Sequence, residues 1–351
     1  MKGRVIAIER RDDGRAIAAL VVDGRLEDIF VDPRPGDAAP APEALYWARV
    51  DRVAPQMGAA FLSLPSGQSG WLRGAERRPG AMALVQVSRW AEPGKAAPLN
   101  DRVIFKGRLA LLTPGAPGAN VARGVKGHAA RERLTALGAA ALADAAQDVG
   151  LVLRSAAADA PDAEILAEIA ALRARMAAAL ARSTGAAPLL LEAAPGAEAR
   201  ALRDWADPAP DAVETEHEPF ERLGVWDHVE ALRRPRVDLP GGAWMTVEAT
   251  SAMVAVDVNT GDDFAKGAAQ NANIAACAEL PRQLRLRGLG GLVMLDLAPI
   301  KKGARQGVES ALKRAFAEDA VETHVAGWTP LGNVEISRKR ERRPLSELLD
   351  G

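Results

Sequence analysis

Residues 4–31 alternate apolar and polar positions around two Asp-Gly pairs, Asp13-Gly14 and Asp23-Gly24. Such pairs favour the positive φ values of tight hairpin turns, so the pattern predicts a small β-meander. The Pro- and Ala-rich stretch DPRPGDAAPAPE (32–43) then reads as a connector. From Leu45 to about Pro114 short β-type runs return, namely ALYWARVDRV, GAAFLSL, SGWLRG, ALVQVSRW and DRVIFKGRLALL, divided by Pro- and Gly-rich turns. Strands at this spacing predict a small barrel, of which the OB-fold is one example. Charges at helical spacing among Ala and Leu predict two amphipathic helices over 129–147 and 161–182, with short strands at GLVLRS (150–155) and PLLLE (188–192). Residues 195–219 are irregular and acidic and carry no assignable chemistry.

The last third is patterned most clearly. Residues 241–261 read as a β-hairpin, 271–287 as a helix, 290–299 as a strand and 304–319 as a second helix. Strand, helix, strand, helix implies a parallel crossover. Pro281 falls inside the first of these helices, where it removes a backbone donor, so a kink or a new turn is expected there.

Strand alternation places Asp257 and Asn259 on one face and Val254, Val256 and Val258 on the other. In GLVMLDLAP the same rule separates Val293, Leu295 and Leu297 from Leu292, Met294 and Asp296. If the two strands are parallel neighbours, Asp257 and Asp296 meet at their carboxyl ends, where open α/β sheets bind ligands. A lone Asp at a strand end is most often a helix cap or a turn residue. The pair, joined by a helix and accompanied by Asn259, points instead to a hard cation. Oxygen ligands favour Mg²⁺, which binds through one or two carboxylates together with phosphate oxygens. The chemistry that follows is metal-assisted phosphodiester hydrolysis.

Composition narrows the alternatives. The 351 residues suggest two to four compact units, and 48% hydrophobic with 26% charged residues is an ordinary globular balance. No apolar run reaches the roughly 18 residues of a membrane span, and MKGRVIAIERRDDGR has no secretory pattern, so a cytoplasmic location is expected. One cysteine, Cys277, excludes an internal disulfide framework and a multi-thiolate metal site. A formal net charge of −1 gives no global attraction to a polyanion, so an RNA or DNA surface must come from local basic clusters such as LPRQLRLRG (280–288) and SRKRERR (337–343). In the barrel region Phe61, Trp71 and Trp90 accompany Arg73, Arg89 and Lys106. These aromatics are either barrel core or platforms for unpaired bases.

The segments VAVDVNTG, RQLRLRGLGGLVMLDL and LGNVEISRKR (331–340) resemble, in the same order, three blocks of the ribonuclease E/G endoribonucleases. Weaker likeness runs forward: MGAAFLSLPSGQSGWL (57–72) resembles that family's S1-like barrel, while VARGVKG (121–127) and GLVLRS resemble its 5′-monophosphate sensor. The resemblance implies an α+β and α/β multidomain fold. A split RNase H-like domain (1–34 with 201–240) would hold an inserted OB-fold barrel (35–115) and a 5′-sensor unit (116–200), followed by a DNase I-like catalytic domain (241–351). It further implies that Asp257 and Asp296 bind catalytic metal, that Asn259 orients the scissile phosphate, and that Phe61, Trp71, Arg89 and Lys106 grip RNA. Arg123, Arg154 and Ser155 would sense the 5′-phosphate, with Ser155 standing in for a threonine. Lys301, Lys302 and Arg338 are candidate phosphate contacts.

The departures from that pattern are equally specific. After SRKR the chain runs ERRPLSELLDG without the family's Cys-Pro-x-Cys link, so no zinc is expected, and a monomer or a homo-oligomer without a zinc link is. Pro299-Ile300-Lys301-Lys302 stands where the family often carries another acid. The leading expectation is a Mg²⁺-dependent endoribonuclease cleaving single-stranded RNA in rRNA or tRNA processing or in mRNA decay, leaving 5′-phosphate and 3′-hydroxyl ends. The alternatives are an RNA-binding protein of the same fold with weakened catalysis, and a hydrolase of a small phosphorylated substrate. The aromatic barrel argues against the second.

Overall fold

The computed structural model describes residues 2–74, 76–92, 94–143, 148–263 and 265–349. The chain forms two units, one from residues 1–34 and 214–351 and the other from 35–213. Among the described residues no helix is long and apolar enough to cross a membrane.

The first unit begins with an antiparallel meander of strands Arg4–Arg10, Ala16–Val22 and Arg25–Val31. Asp23 and Gly24 both take positive φ, 50° and 79°, as the Asp-Gly signal requires. The apolar face of the meander packs Ile17, Val21 and Leu26 against Phe220 and Val225, which lie in the helices Pro219–Arg222 and Val225–Leu232.

A six-stranded sheet follows in the order Arg236–Asp238, Trp244–Ala249, Val254–Asn259, Gly291–Asp296, Val334–Arg338, Thr323–Trp328. A parallel ladder joins Val254–Asn259 to Gly291–Asp296, and the chain crosses between them through the helix Ala268–Leu286. This helix and Arg305–Ala317 cover one face of the sheet, enclosing Val254, Val256, Val258, Val293 and Leu295 with Ala276, Leu280, Leu284, Val308 and Leu312. The long helix continues through Pro281 as one element, Ala268–Leu286. Leu280, Pro281 and Leu284 are all buried there, and tertiary packing offsets the missing backbone bond.

In the second unit Leu45–Ala54, Ala59–Ser63, Ser69–Arg73, Ala97–Asn100 and Met82–Val87 form a barrel, which closes where Met82–Gln86 pairs with Leu45–Arg49. Leu189–Glu192 adds a strand to Leu45–Ala54. The run DRVIFKGRLALL, expected within the barrel, lies outside it. Phe105–Lys106 and Ala110–Pro114 instead join Val149–Leu153 and Gly118–Val121, supplied by later parts of the chain, in a separate four-stranded sheet. Helices His128–Leu142 and Asp162–Arg182 pack on that sheet through Leu134, Ile165, Ile169 and Leu172. Residues 144–147, which the first helix was expected to include, lie outside the described residues.

The two basic clusters expected to face a polyanion are largely internal. Arg282 donates to the Leu26 carbonyl at 2.7 Å, Arg285 to that of Glu27 at 2.8 Å, and Arg287 to those of Leu232 and Arg234 at 2.6 and 2.8 Å. Arg342 grips both carboxylate oxygens of the buried Asp28, and Arg285 also pairs with Asp319. Arg338, a candidate phosphate contact, is only 2% exposed and lies 2.7 Å from Asp319. It shares the inner face of its strand with Val334 and Ile336, so a phosphate cannot reach it. These bonds tie the crossover helix and the segment after Arg338 to the meander.

Burial alone would raise the Asp28 carboxyl, but the charge and hydrogen bonds of Arg342, with the charge of Arg285, hold it below the ordinary carboxylate value. Its contribution to stability is therefore present above about pH 4 and lost as pH falls through the lower folded value. Asp28→Ala leaves Arg342 buried without that carboxylate, and urea unfolding at neutral pH should show a loss of about 3–5 kcal/mol. A loss below about 1 kcal/mol would contradict the clamp.

Candidate functional site

The parallel ladder sets Asp257 directly opposite Asp296. Each carboxylate is exposed while its strand neighbours, Val256, Val258 and Leu295, are buried on the helix side. Asp257 therefore belongs to the outward face of a strand whose valines face the core. Asn259 lies two residues further along that face, and its Nδ2 donates to Asp257 Oδ2 at 2.7 Å. This bond fixes one carboxylate oxygen and aligns the amide beside it. The chain leaves the site through Gly261, at φ 61°, where a Cβ would come within 2.3 Å of the Gly242 carbonyl oxygen. Only glycine allows that turn. Asp262 and Asp263 follow as exposed loop residues, with Asp263 accepting the Ala265 amide at 2.8 Å.

The far side of the site is held from within. Asn273, fully buried on the crossover helix, donates to the Ala298 carbonyl at 2.9 Å and accepts the Ala298 N–H at 3.0 Å. This reciprocal pair fixes the backbone two residues past Asp296. Lys301 and Lys302 are exposed just beyond, ahead of the helix Arg305–Ala317.

The donor set is two exposed carboxylates and a neighbouring amide, all offering oxygen. It suits a hard divalent ion that keeps most of its waters, as Mg²⁺ does. Among the described residues no group of three or more His, Cys, Asp or Glu could hold a metal. Cys277 is buried, with its thiol pushed up to about 12 by desolvation, and belongs to the core.

In the barrel, Phe61 stands opposite Trp71, both half-buried and outward, while Leu62 and Leu72 fill the interior. Alternation thus makes these two aromatics an outer surface. Arg52, opposite Phe61 on the preceding strand, places its guanidinium 4.3 Å from the ring centroid. Trp71 pairs with Pro98, whose carbonyl accepts the Ser88 N–H at 2.9 Å, so Arg89 emerges one residue beyond this row. Lys106 lies on the other sheet and pairs with Glu43 at 3.1 Å, beside Arg203.

Arg154 directly follows the strand Val149–Leu153, and its Nη1 donates to the Gly107 carbonyl at 2.6 Å. Ser155 Oγ lies 2.5 Å from where a Cβ on Gly124 would be, so the loop 121–127 closes onto this hydroxyl. Exposed Arg123 is the neighbour of that glycine. The structure thus brings Ser155 to the loop of Arg123, with Arg154 alongside in sequence.

Residues 105–218 and 209–341, together more than half of the chain, match the sequence model of the Ribonuclease E/G family. The chain belongs to the ribonuclease E/G family. It is 26% identical to ribonuclease G of Salmonella typhimurium over 368 aligned positions, covering 87% of this chain and 74% of that protein. The same values hold for ribonuclease G of Escherichia coli K12. Against ribonuclease E of Synechocystis the identity is 27% over 361 positions, covering 87% of this chain and 53% of the relative.

Within this family member, two structural roles escape a reading of motifs alone. Arg52 lies in a run that signals only a strand, and its place over Phe61 depends on strand register. Asn273 does carry a signal, since asparagine is a poor residue for the middle of a helix. Asn273→Ala strands the N–H and C=O of Ala298 in the interior and should reduce stability by about 2–4 kcal/mol in urea unfolding. An unchanged unfolding midpoint would show that the clamp holds nothing.

Proposed function

We propose that this chain hydrolyses phosphodiester bonds within single-stranded RNA at the outward face of the Asp257 and Asp296 strands. Membership of its family makes it an endoribonuclease, a hydrolase. The observation that carries the assignment to this face is the parallel register of Asp257 against Asp296, with Asn259 bonded to the first.

The two carboxylates would hold a hydrated Mg²⁺ between them. When bound, that ion polarises the scissile phosphate and lowers the pKa of an attacking water. Asp257, with one oxygen held by Asn259, has its other oxygen for the ion. Asn259 keeps a second amide N–H and its Oδ1 to orient phosphate or water. Lys301 and Lys302 add positive charge where the backbone phosphates pass. Water enters at phosphorus and the bond to O3′ breaks, leaving a 5′-phosphate and a 3′-hydroxyl. In the barrel, Phe61, Trp71 and Arg89 would grip unpaired bases and phosphate, with Arg52 bracing Phe61. Lys106, engaged by Glu43, fits a supporting role better than a direct one.

The same reading takes residues 1–34 with 201–240 as an RNase H-like domain and 241–351 as a DNase I-like one, with the barrel over 35–115 and the sensor over 116–200. Arg154, Ser155 and Arg123 suit a terminal phosphate, because a guanidinium beside a hydroxyl offers charge-assisted bonds to its oxygens. Processing of rRNA or tRNA and decay of mRNA are the settings in which a single-strand endoribonuclease of this kind would act.

Purified protein should cleave a 5′-monophosphorylated, AU-containing single-stranded RNA only when Mg²⁺ is present. Asp257→Asn or Asp296→Asn should each lower the rate by at least about 10²-fold, in line with loss of a charge-stabilising group. Cleavage that survives either substitution would refute the site, and RNA binding without cleavage by the unmodified protein would favour the weakened-enzyme alternative. Separately, Arg154→Ala should narrow the rate difference between 5′-monophosphate and 5′-hydroxyl RNA. An unchanged ratio would remove the sensing role.

A further inference from the structure

We propose that Trp244 and Arg236 form a base-stacking subsite for a nucleotide adjoining the scissile phosphate, an inference that rests on the endoribonuclease reading of the Asp257 and Asp296 face. Trp244 stands directly opposite Asn259, and Thr246 directly opposite Asp257, in the antiparallel ladder beside the carboxylate strand. Residues directly opposite in a ladder point to the same face. Trp244 and Asn259 therefore form one rung of the outward surface, and Thr246, Asp257 and Asp296 form the next.

The core does not explain this tryptophan. Met245 and Val247 are the residues of its strand that enter the interior, while Trp244 is half-buried on the side of Thr246 and Glu248. The guanidinium of Arg236, from the neighbouring strand, lies 4.7 Å from the Trp244 ring centroid. Its Nε donates to Asp238 Oδ1 at 2.9 Å, which holds it there. Arg236 thus braces one face of the indole by a cation–π contact, while its charge is paired with Asp238, which stands opposite Trp244.

Trp244 and Asp257 are diagonal neighbours, a relation that spans about 7–8 Å and lies within reach of aromatic side chains. A nucleobase attached beside a phosphate held at Asp257 and Asp296 would meet the indole. Every base has a π-face, so this contact selects unpaired nucleotides without selecting one base. The subsite therefore favours single-stranded RNA at the point of cleavage, independently of the aromatic row in the barrel.

The test scans an abasic residue through the positions flanking the cleaved bond of a short single-stranded RNA, with cleavage rate and affinity both measured. One abasic position should lower kcat/KM of the unmodified protein by about tenfold, in keeping with the usual strength of base–aromatic stacking. Trp244→Leu should show the same loss on intact RNA and no further loss on the abasic substrate, while Trp244→Phe should stay within about threefold of the unmodified protein. Thermal melting of both variants checks that they fold. Equal rates for Trp244→Leu and Trp244→Phe, or an additive abasic penalty in Trp244→Leu, would overturn the subsite. If the unmodified protein cleaves no RNA, the endoribonuclease reading fails, and the same abasic scan read by affinity in Mg²⁺ still decides whether Trp244 stacks a base.

Discussion

The ladder that sets Asp257 opposite Asp296 is parallel, and a parallel pair cannot be joined by a hairpin. The chain has to leave the end of the first strand, cross the sheet and re-enter beside it, and the helix Ala268–Leu286 performs that crossing. Much of the unit follows from this requirement. Apolar residues of the helix cover the Val254, Val256, Val258, Val293 and Leu295 face, which leaves the opposite face to the carboxylates. Asn273, on the same helix, bonds both polar groups of the Ala298 peptide and so sets the exit path from Asp296. One element thus builds the core and aligns both strand ends.

The arginines of that helix serve the fold. Arg282, Arg285 and Arg287 cap backbone carbonyls of other elements, and Asp28 and Asp319 neutralise Arg342 and Arg338. Guanidinium suits this use because its fixed fork satisfies a carboxylate and a carbonyl together. With these charges internal and a formal net charge of −1, attraction for a polyanion has to come from exposed groups such as Arg52, Arg73, Arg123, Lys301 and Lys302. The barrel meanwhile turns two aromatic rings, Phe61 and Trp71, outward on its surface.

Alternation along two strands was enough to place Asp257, Asn259 and Asp296 on exposed faces, and the 3.6-residue pattern between them was enough to expect the crossover. The register that makes Asp257 and Asp296 partners is a tertiary fact that neither strand contains alone. The same alternation, applied to VEISR, puts Arg338 inside with Val334 and Ile336, so its burial was legible and was obscured by the basic residues around it. The end of the barrel was not legible, because DRVIFKGRLALL has strand character and its pairing with Val149–Leu153 instead of a barrel strand is a tertiary fact. Pro281 shows the opposite limit: a residue that removes a backbone donor sits inside a continuous helix whose Leu280 and Leu284 are buried beside it. The outward position of Phe61 and Trp71 likewise depended on which face of each strand the barrel encloses.

If Asp257 and Asp296 together hold a metal ion against the phosphate that is cut, an oxygen of that phosphate meets the ion. The most direct measurement replaces a non-bridging oxygen of the scissile phosphate with sulfur and compares cleavage in Mg²⁺ with cleavage in Mn²⁺, which accepts a softer ligand. One phosphorothioate isomer should be cleaved slowly in Mg²⁺ and restored in Mn²⁺. Equal cleavage of both isomers in Mg²⁺, or an isomer that Mn²⁺ does not restore, would contradict it.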